Sequence, residues 1–235
     1  MFNKKLAIIG ASGAVGRVFI ELLDEMYPGN KDLFLVASKR SAGKSMLCGK
    51  EEFVIQDIED FDFSQVDIAF FSAGAETAEK FAPIAVSQGC TVIDNSSQFR
   101  TDSDKPLIVP EVNSRALKDF KLPGIIANPN CSTAQLVVAL KPIHDLAEID
   151  HFDLATYQAV SGTGKAAVEE LRQETFSKES TEIQKVYPKQ IAFNALPQCD
   201  IFLDDYYTKE EMKVVWETQK IMDPKITVNA TCVRV

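Results

Sequence analysis

Lys5–Met26, "KLAIIGASGAVGRVFIELLDEM", passes from an unbroken apolar run through a glycine-punctuated turn into a helical pattern. "KLAIIG" has the length and composition of a buried strand. Val15, Val18, Phe19, Leu22, Leu23 and Met26 then recur at the i, i+3, i+4 spacing of a helix packed on a sheet. Gly10, Gly13 and Gly16 stand at the junction. A chain that must turn tightly there, and admit a pyrophosphate against its backbone, needs residues without a Cβ, and the following helix offers free N–H groups to the phosphates. Gly10, Ser12, Gly13, Ala14 and Val15 are therefore the expected cofactor-binding turn. The spacing is G-x-x-G-x-x-G rather than the commoner G-x-G-x-x-G, so a plain strand–helix turn is the competing reading.

The same alternation continues outward. "LFLVAS", "VDIAFFSAG", "CTVIDNSS" and "GIIANPN" read as further strands, with a helix over about 76–88 between the second and third of these. Apolar strands alternating with helices predict a mainly parallel sheet covered on both faces. After Cys131 the texture changes. Leu136, Leu140, Ile143 and Ala147 mark a helix, and "HFDLATYQAV" a long strand. Charged helices follow over about 165–178 and 209–222, and "KITVNATCVRV" is a terminal strand. "VYPKQIAFNALPQCD" shows no clear period. The expected fold class is α/β: a Rossmann-type doubly wound dinucleotide-binding domain over residues 1–130, then an α+β catalytic domain over 131–235.

Composition narrows the function. A formal net charge of -9 over 235 residues, without a long basic run, argues against a nucleic-acid partner. No apolar run is long enough to span a membrane, and Gly10 ends "LAIIG" too early for a signal peptide. Cys48, Cys90, Cys131, Cys199 and Cys232 show neither paired nor metal-like spacing, so reduced thiols in a cytoplasmic protein and no metal site are expected.

The residues after the second strand, "ASKRSAGK", bear on cofactor choice. A carboxylate there would hold the ribose hydroxyls of NAD. Ser38, Lys39, Arg40 and Ser41 instead offer hydroxyls and cations, which suit the 2′-phosphate of NADP; a solvated basic loop is the alternative. Cys131, in "NPNCSTAQ", precedes a helical pattern, where the dipole and free amides favour a thiolate and an oxyanion. Cys90 and Cys232 lie in strand-like runs, and Cys48 reads as a loop residue. The residues alone leave Cys131 open between a nucleophile and a small residue beside a turn.

Taken together and in order, "GASGAVG", "SKRSAGK", "FFSAG", "DNSSQFR", "PEVN", "NPNCST", "YQAVSGTG", "PKQIAFNALPQ" and "WETQKIM…CVRV" resemble the aspartate-β-semialdehyde dehydrogenase family along the whole chain. The resemblance implies NADP-dependent conversion of L-aspartyl-4-phosphate to aspartate semialdehyde and phosphate, and the reverse, on the route to lysine, threonine and methionine. It makes Cys131 the nucleophile that carries an acyl-thioester, and Gln158 the residue that orients the substrate there. Arg100 would bind the acyl phosphate or phosphate, helped by Asn130. Glu217 and Lys220 would meet the substrate ammonium and phosphate, and Arg234 its α-carboxylate. Ser72, Ala73, Gly74, Ser161 and Gly162 would line the cofactor. On their own, Arg100 reads as a surface arginine and Arg234 as a charged strand end. Glu217 and Lys220 read as a solvated face, with Lys213 and Glu217 as a surface pair.

The family also implies a homodimer and a general-base histidine shortly after "CVRV". Further strands used in dimer formation follow it, with a helix that returns to the cofactor domain. Val235 precedes all of these, so the expectation is an incomplete catalytic and dimerisation domain with little turnover from residues 1–235 alone. His144 and His151 are read as structural or exposed. Two rivals remain at this level: an N-acetyl-γ-glutamyl-phosphate reductase-like enzyme, and a non-catalytic NADP-binding module.

Overall fold

The computed structural model describes residues 4–28, 32–176 and 185–235. The chain divides into two compact units, Met1–Asn130 and Cys131–Val235.

In the first unit, β1 (Leu6–Ile9) leads through the glycine turn to α1 (Ala14–Met26) and β2 (Leu33–Ala37). A hairpin of β3 (Ser45–Cys48) and β4 (Glu51–Val54) is followed by the short β5 (Gln56–Asp57), then β6 (Ile68–Phe71), α2 (Ala75–Ser87) and β7 (Thr91–Asp94). A single turn, α3 (Pro110–Asn113), and β8 (Ile125–Ala127) complete it. Six strands form one sheet in the order β5-β2-β1-β6-β7-β8, with every pairing parallel. Leu6 and Ile8 pack towards Ile20 of α1, together with Ile68 and Phe70. The alternate residues of β6 serve the other face, where Phe71 stacks on Phe63, whose N–H donates to Gln88 at the end of α2. This is the doubly covered parallel sheet that the apolar alternation predicts.

Two sequence expectations change here. Helix α1 forms, but Val15, Val18, Leu22 and Met26 are about half exposed or more, while Gly16 and Ile20 are buried and Phe19 and Leu23 partly so. The helix has two apolar stripes, and the buried one is that whose glycine allows close approach. Cys48 is not in a loop: it ends β3, where Met46 and Cys48 turn inward and Ser45 and Leu47 outward. A two-stranded ribbon with one face covered gives too short an alternation to stand out in the sequence.

Gly16 carries that close approach. A Cβ there would lie 2.4 Å from the Gly10 carbonyl oxygen and 2.8 Å from Ala11 Cα, both backbone atoms. Gly16→Ala must therefore push α1 off β1. We expect a loss of about 1–3 kcal/mol, the usual cost of overpacking, read as a lower urea midpoint of the first unit; an unchanged midpoint would contradict this packing.

In the second unit, α4 (Cys131–Ala147) and β9 (His151–Gln158) are followed by α5 (Lys165–Phe176), α6 (Lys209–Ile221) and β10 (Thr227–Arg234). β9 and β10 pair in parallel over their whole length. Their inner face, including Leu154, Val228 and Ala230, packs with Val215 and Met222 of α6 and its C-terminal end. The helix that Leu136, Leu140, Ile143 and Ala147 mark does form: Leu136 and Leu140 are half-buried beside the buried Thr133 and Val137, while Ile143 and Ala147 near its end are exposed. The expected end of α5, Ser177 and Lys178, lies outside the described residues. The aperiodic segment after α5 is irregular yet core-forming: Tyr187, Ile191 and Leu196 join Val160 and Ala167 in an apolar cluster.

Candidate active site

In the first unit the candidate residues gather at the carboxyl ends of the parallel strands. The chain leaves β1 for α1 and β2 on one side, while β6 lies on the other, so the strand order reverses between β1 and β6, where ligands of open α/β sheets bind. Gly10 sits at this point with φ +90°, and a Cβ would lie 2.7 Å from the Ser72 carbonyl oxygen. No other residue type fits that conformation and that approach. Gly13 caps α1 with no side-chain cap, leaving the first amides of the helix, at Ala14 and Val15, for a ligand.

The loop after β2 is tied to this turn. Ser12 Oγ donates to Ser41 Oγ at 3.0 Å, and the Ser41 N–H donates to the Ser38 carbonyl at 2.8 Å. Ser41 is buried, whereas Ser38, Lys39 and Arg40 are exposed beside it. Ser72, Ala73 and Gly74 follow β6, and Gly74, at φ +89°, opens α2.

Arg100 is buried, not a surface arginine. Its Nε donates to the Ser96 carbonyl at 2.8 Å and its Nη2 to the Asn95 carbonyl at 3.0 Å. The loop that holds it is itself anchored by Asp94. One carboxylate oxygen accepts the Ser96 N–H and the other its hydroxyl, while Asn128 donates to Asn95 Oδ1 at 2.7 Å. Burial pushes the Asp94 carboxyl above its ordinary range, against the Ser96 donors and the Arg100 charge. Asp94 and Asn128 went unnoticed in the sequence; an Asp with Ser two residues on is the signal of such a turn. Asn130, also buried, ends this unit.

The second unit brings three candidates together. Cys131 is the first residue of α4 and is exposed. Gln158 Nε2 donates to the hydroxyl of its neighbour Ser132 at 3.0 Å and to Thr156 at 3.2 Å, which orients the amide towards the start of α4. Gln158 and Arg234 are register partners at the ends of β9 and β10, on the face with the alternating inner residues. Arg234 is buried. Its Nη1 donates to the Ala159 carbonyl at 2.7 Å, and its Nε, also buried, has no partner among the described residues. A buried guanidinium N–H without an acceptor is costly and suits an anionic group. Ser161 and Gly162 are exposed in the turn next to it; a Cβ on Gly162 would lie 3.2 Å from Arg234 Nη1.

Glu217 departs from the solvated face that its spacing suggested. It is 4% exposed on α6, while Lys220 is exposed. Lys213 pairs with Asp200 at 2.8 Å and Glu210 at 3.3 Å rather than with Glu217. His144 Nδ1 accepts the Ile149 N–H at 3.0 Å, and His151 lies 3.5 Å from Asp153 at the strand start. All five cysteines are free.

Residues 5–120 match the semialdehyde dehydrogenase NAD-binding domain family, and residues 140–235 the semialdehyde dehydrogenase dimerisation domain family. Aspartate-semialdehyde dehydrogenase of Shewanella violacea is 55% identical over 237 residues, a match covering 98% of this chain and 69% of that protein. The crystal structure of aspartate semialdehyde dehydrogenase II from Vibrio cholerae, complexed with ASA, is similar at a TM-score of 0.92 and 52% identity, covering 98% of this chain and 69% of that one. The enzyme from Candida albicans, solved with NADP, is similar at 0.72 and 29%, covering 99% and 67%.

Proposed function

This chain belongs to the aspartate-semialdehyde dehydrogenase family, and we propose from its residues that it interconverts L-aspartyl-4-phosphate and L-aspartate 4-semialdehyde with NADP(H), using Cys131 as nucleophile. The observation that carries this reading is Arg234: a buried guanidinium with an unpartnered Nε, level with Gln158, whose amide is bonded to the residue after Cys131.

In this reading Arg234 holds the substrate α-carboxylate, and Glu217 takes its ammonium. Gln158 positions the acyl group. Cys131 Sγ attacks the acyl carbon; the C–S bond forms, the C–O bond to phosphate breaks, and phosphate leaves. The dipole at the start of α4 stabilises the oxyanion that forms meanwhile. Arg100 and Lys220, helped by Asn130, are assigned to phosphate, for which a guanidinium offers two parallel donors. Bound NADPH supplies the hydride that releases the aldehyde, and NADP+ accepts it in reverse. Residues of the first unit fit that cofactor: Gly10 leaves the backbone bare, Ser12 is joined to Ser41, and Ser38 and Arg40 stand where an acid would select NAD. Ser72, Ala73, Gly74, Ser161 and Gly162 complete its assigned lining.

The dimerisation-domain match supports a homodimer. A cytoplasmic role in amino-acid biosynthesis is the setting we propose; among the described residues no helix is long and apolar enough to cross a membrane. Phosphate-dependent NADP+ reduction by aspartate semialdehyde, compared with N-acetylglutamate semialdehyde, tests the substrate. Preference for the latter would overturn the reading.

Cofactor choice gives a separate test. Fluorescence titration should show tighter binding of NADPH than NADH, and Arg40→Ala should narrow the gap by about tenfold or more, as expected for one lost charge-assisted contact. Equal affinities in the unmodified protein would reject the assignment of Arg40 and Ser41.

A further inference from the structure

The irregular segment 186–196 is bound to α5 by carboxylates instead of by a strand ladder. Glu170 Oε2 accepts the N–H groups of Val186 at 2.6 Å and Tyr187 at 3.2 Å. One helical turn later, Glu174 Oε2 accepts those of Ile191 and Ala192, both at 2.9 Å. Charged acceptors make these stronger than neutral hydrogen bonds. They hold a stretch that includes Phe193, 91% exposed and at φ +59°, a conformation that a non-glycine residue keeps only when its surroundings impose it.

Both ends of the held segment reach Arg234. At one end, the Tyr187 hydroxyl is bonded to Thr163 Oγ1 at 2.7 Å. Thr163 ends the turn Val160–Thr163, which follows Ala159, the acceptor of Arg234 Nη1, and contains Gly162, packed against the same nitrogen. At the other end, Leu196 exchanges backbone hydrogen bonds with Arg234 at 2.8 and 2.9 Å. One segment therefore fixes the main chain of Arg234 directly and braces the turn that receives its guanidinium.

We propose that segment 186–196 is a clamp that pre-orders Arg234 for the substrate carboxylate, with the Tyr187 hydroxyl as its positioning group. The inference rests on the reading of Arg234 given above. An arginine ordered before binding loses less side-chain freedom when the anion arrives, so the clamp acts on substrate affinity.

Calorimetric titration of aspartate semialdehyde tests it. Tyr187→Phe keeps the ring in its apolar cluster and removes only the hydroxyl; it should weaken binding about three- to tenfold, the scale of one neutral hydrogen bond. Arg234→Lys should weaken binding by itself, since a lysine keeps the charge without the fork that Ala159 holds. In the Arg234→Lys background the Tyr187→Phe change should add less than about twofold, because coupled residues are not additive. A purely structural role for Tyr187 would give the same loss in both backgrounds, and that result, or no loss in either, would overturn the clamp. If Arg234→Lys binds as well as the unmodified protein, the reading of Arg234 itself fails.

Discussion

Replacing Cys131 by alanine should lower phosphate-dependent NADP+ reduction by aspartate semialdehyde, measured on a chain that also carries the family's later strands, by roughly 10⁴–10⁶-fold, the scale on which a covalent nucleophile acts. Alanine suits the first turn of α4, so the helix and the Gln158–Ser132 hydrogen bond should survive. NADPH binding, assigned to residues other than Cys131, should change little. The variant thus separates chemistry from binding: nucleotide titration reads the fold, and turnover reads the thiol. Residual turnover within about tenfold of the unmodified enzyme would remove Cys131 from its role as the nucleophile.

A brief iodoacetamide pulse at neutral pH should label Cys131 at least about 100-fold faster than Cys90 or Cys232. Burial, aided by the Asp67 charge, pushes the Cys90 thiol up to about 12. Burial likewise takes Cys232 to about 11, despite a hydrogen bond to Thr156. At neutral pH such thiols hold less thiolate than an ordinary cysteine by roughly two to three orders of magnitude. Burial also raises Cys199, and burial with the Asp24 and Glu51 charges raises Cys48. Cys131 is exposed, whereas Cys48 is half-buried and the other three are buried. Mass spectrometry after quenching ranks the five, and a pulse in which another cysteine leads on folded protein would contradict the assignment.

Much of this arrangement was legible residue by residue because it rests on local requirements. Gly10 needs a positive φ, and Gly16 a missing Cβ, within a few residues of each other. The apolar runs of β1, β2, β6, β7 and β8 announce strands buried on both faces, and the helical spacing after Cys131 announces α4. The loop at Ser38–Ser41 has no acid, which is the ground on which its 2′-phosphate role is proposed. Function came from the ordered set of motifs rather than from any single one.

Burial was not legible in the same way. The sequence alone determined which elements form, where the glycine turn lies and which family the motifs belong to, since periodicity and backbone conformation are set by near neighbours. Only the tertiary structure decided that α1 buries the Gly16–Ile20 stripe instead of its other apolar stripe, and that Glu217 is enclosed while Lys220 is not. It alone placed Arg234 level with Gln158, 76 residues earlier in the chain, with its Nε unpartnered, and docked an aperiodic segment on Glu170 and Glu174. Those outcomes depend on which distant surface arrives against a side chain, and no spacing within one element carries that information.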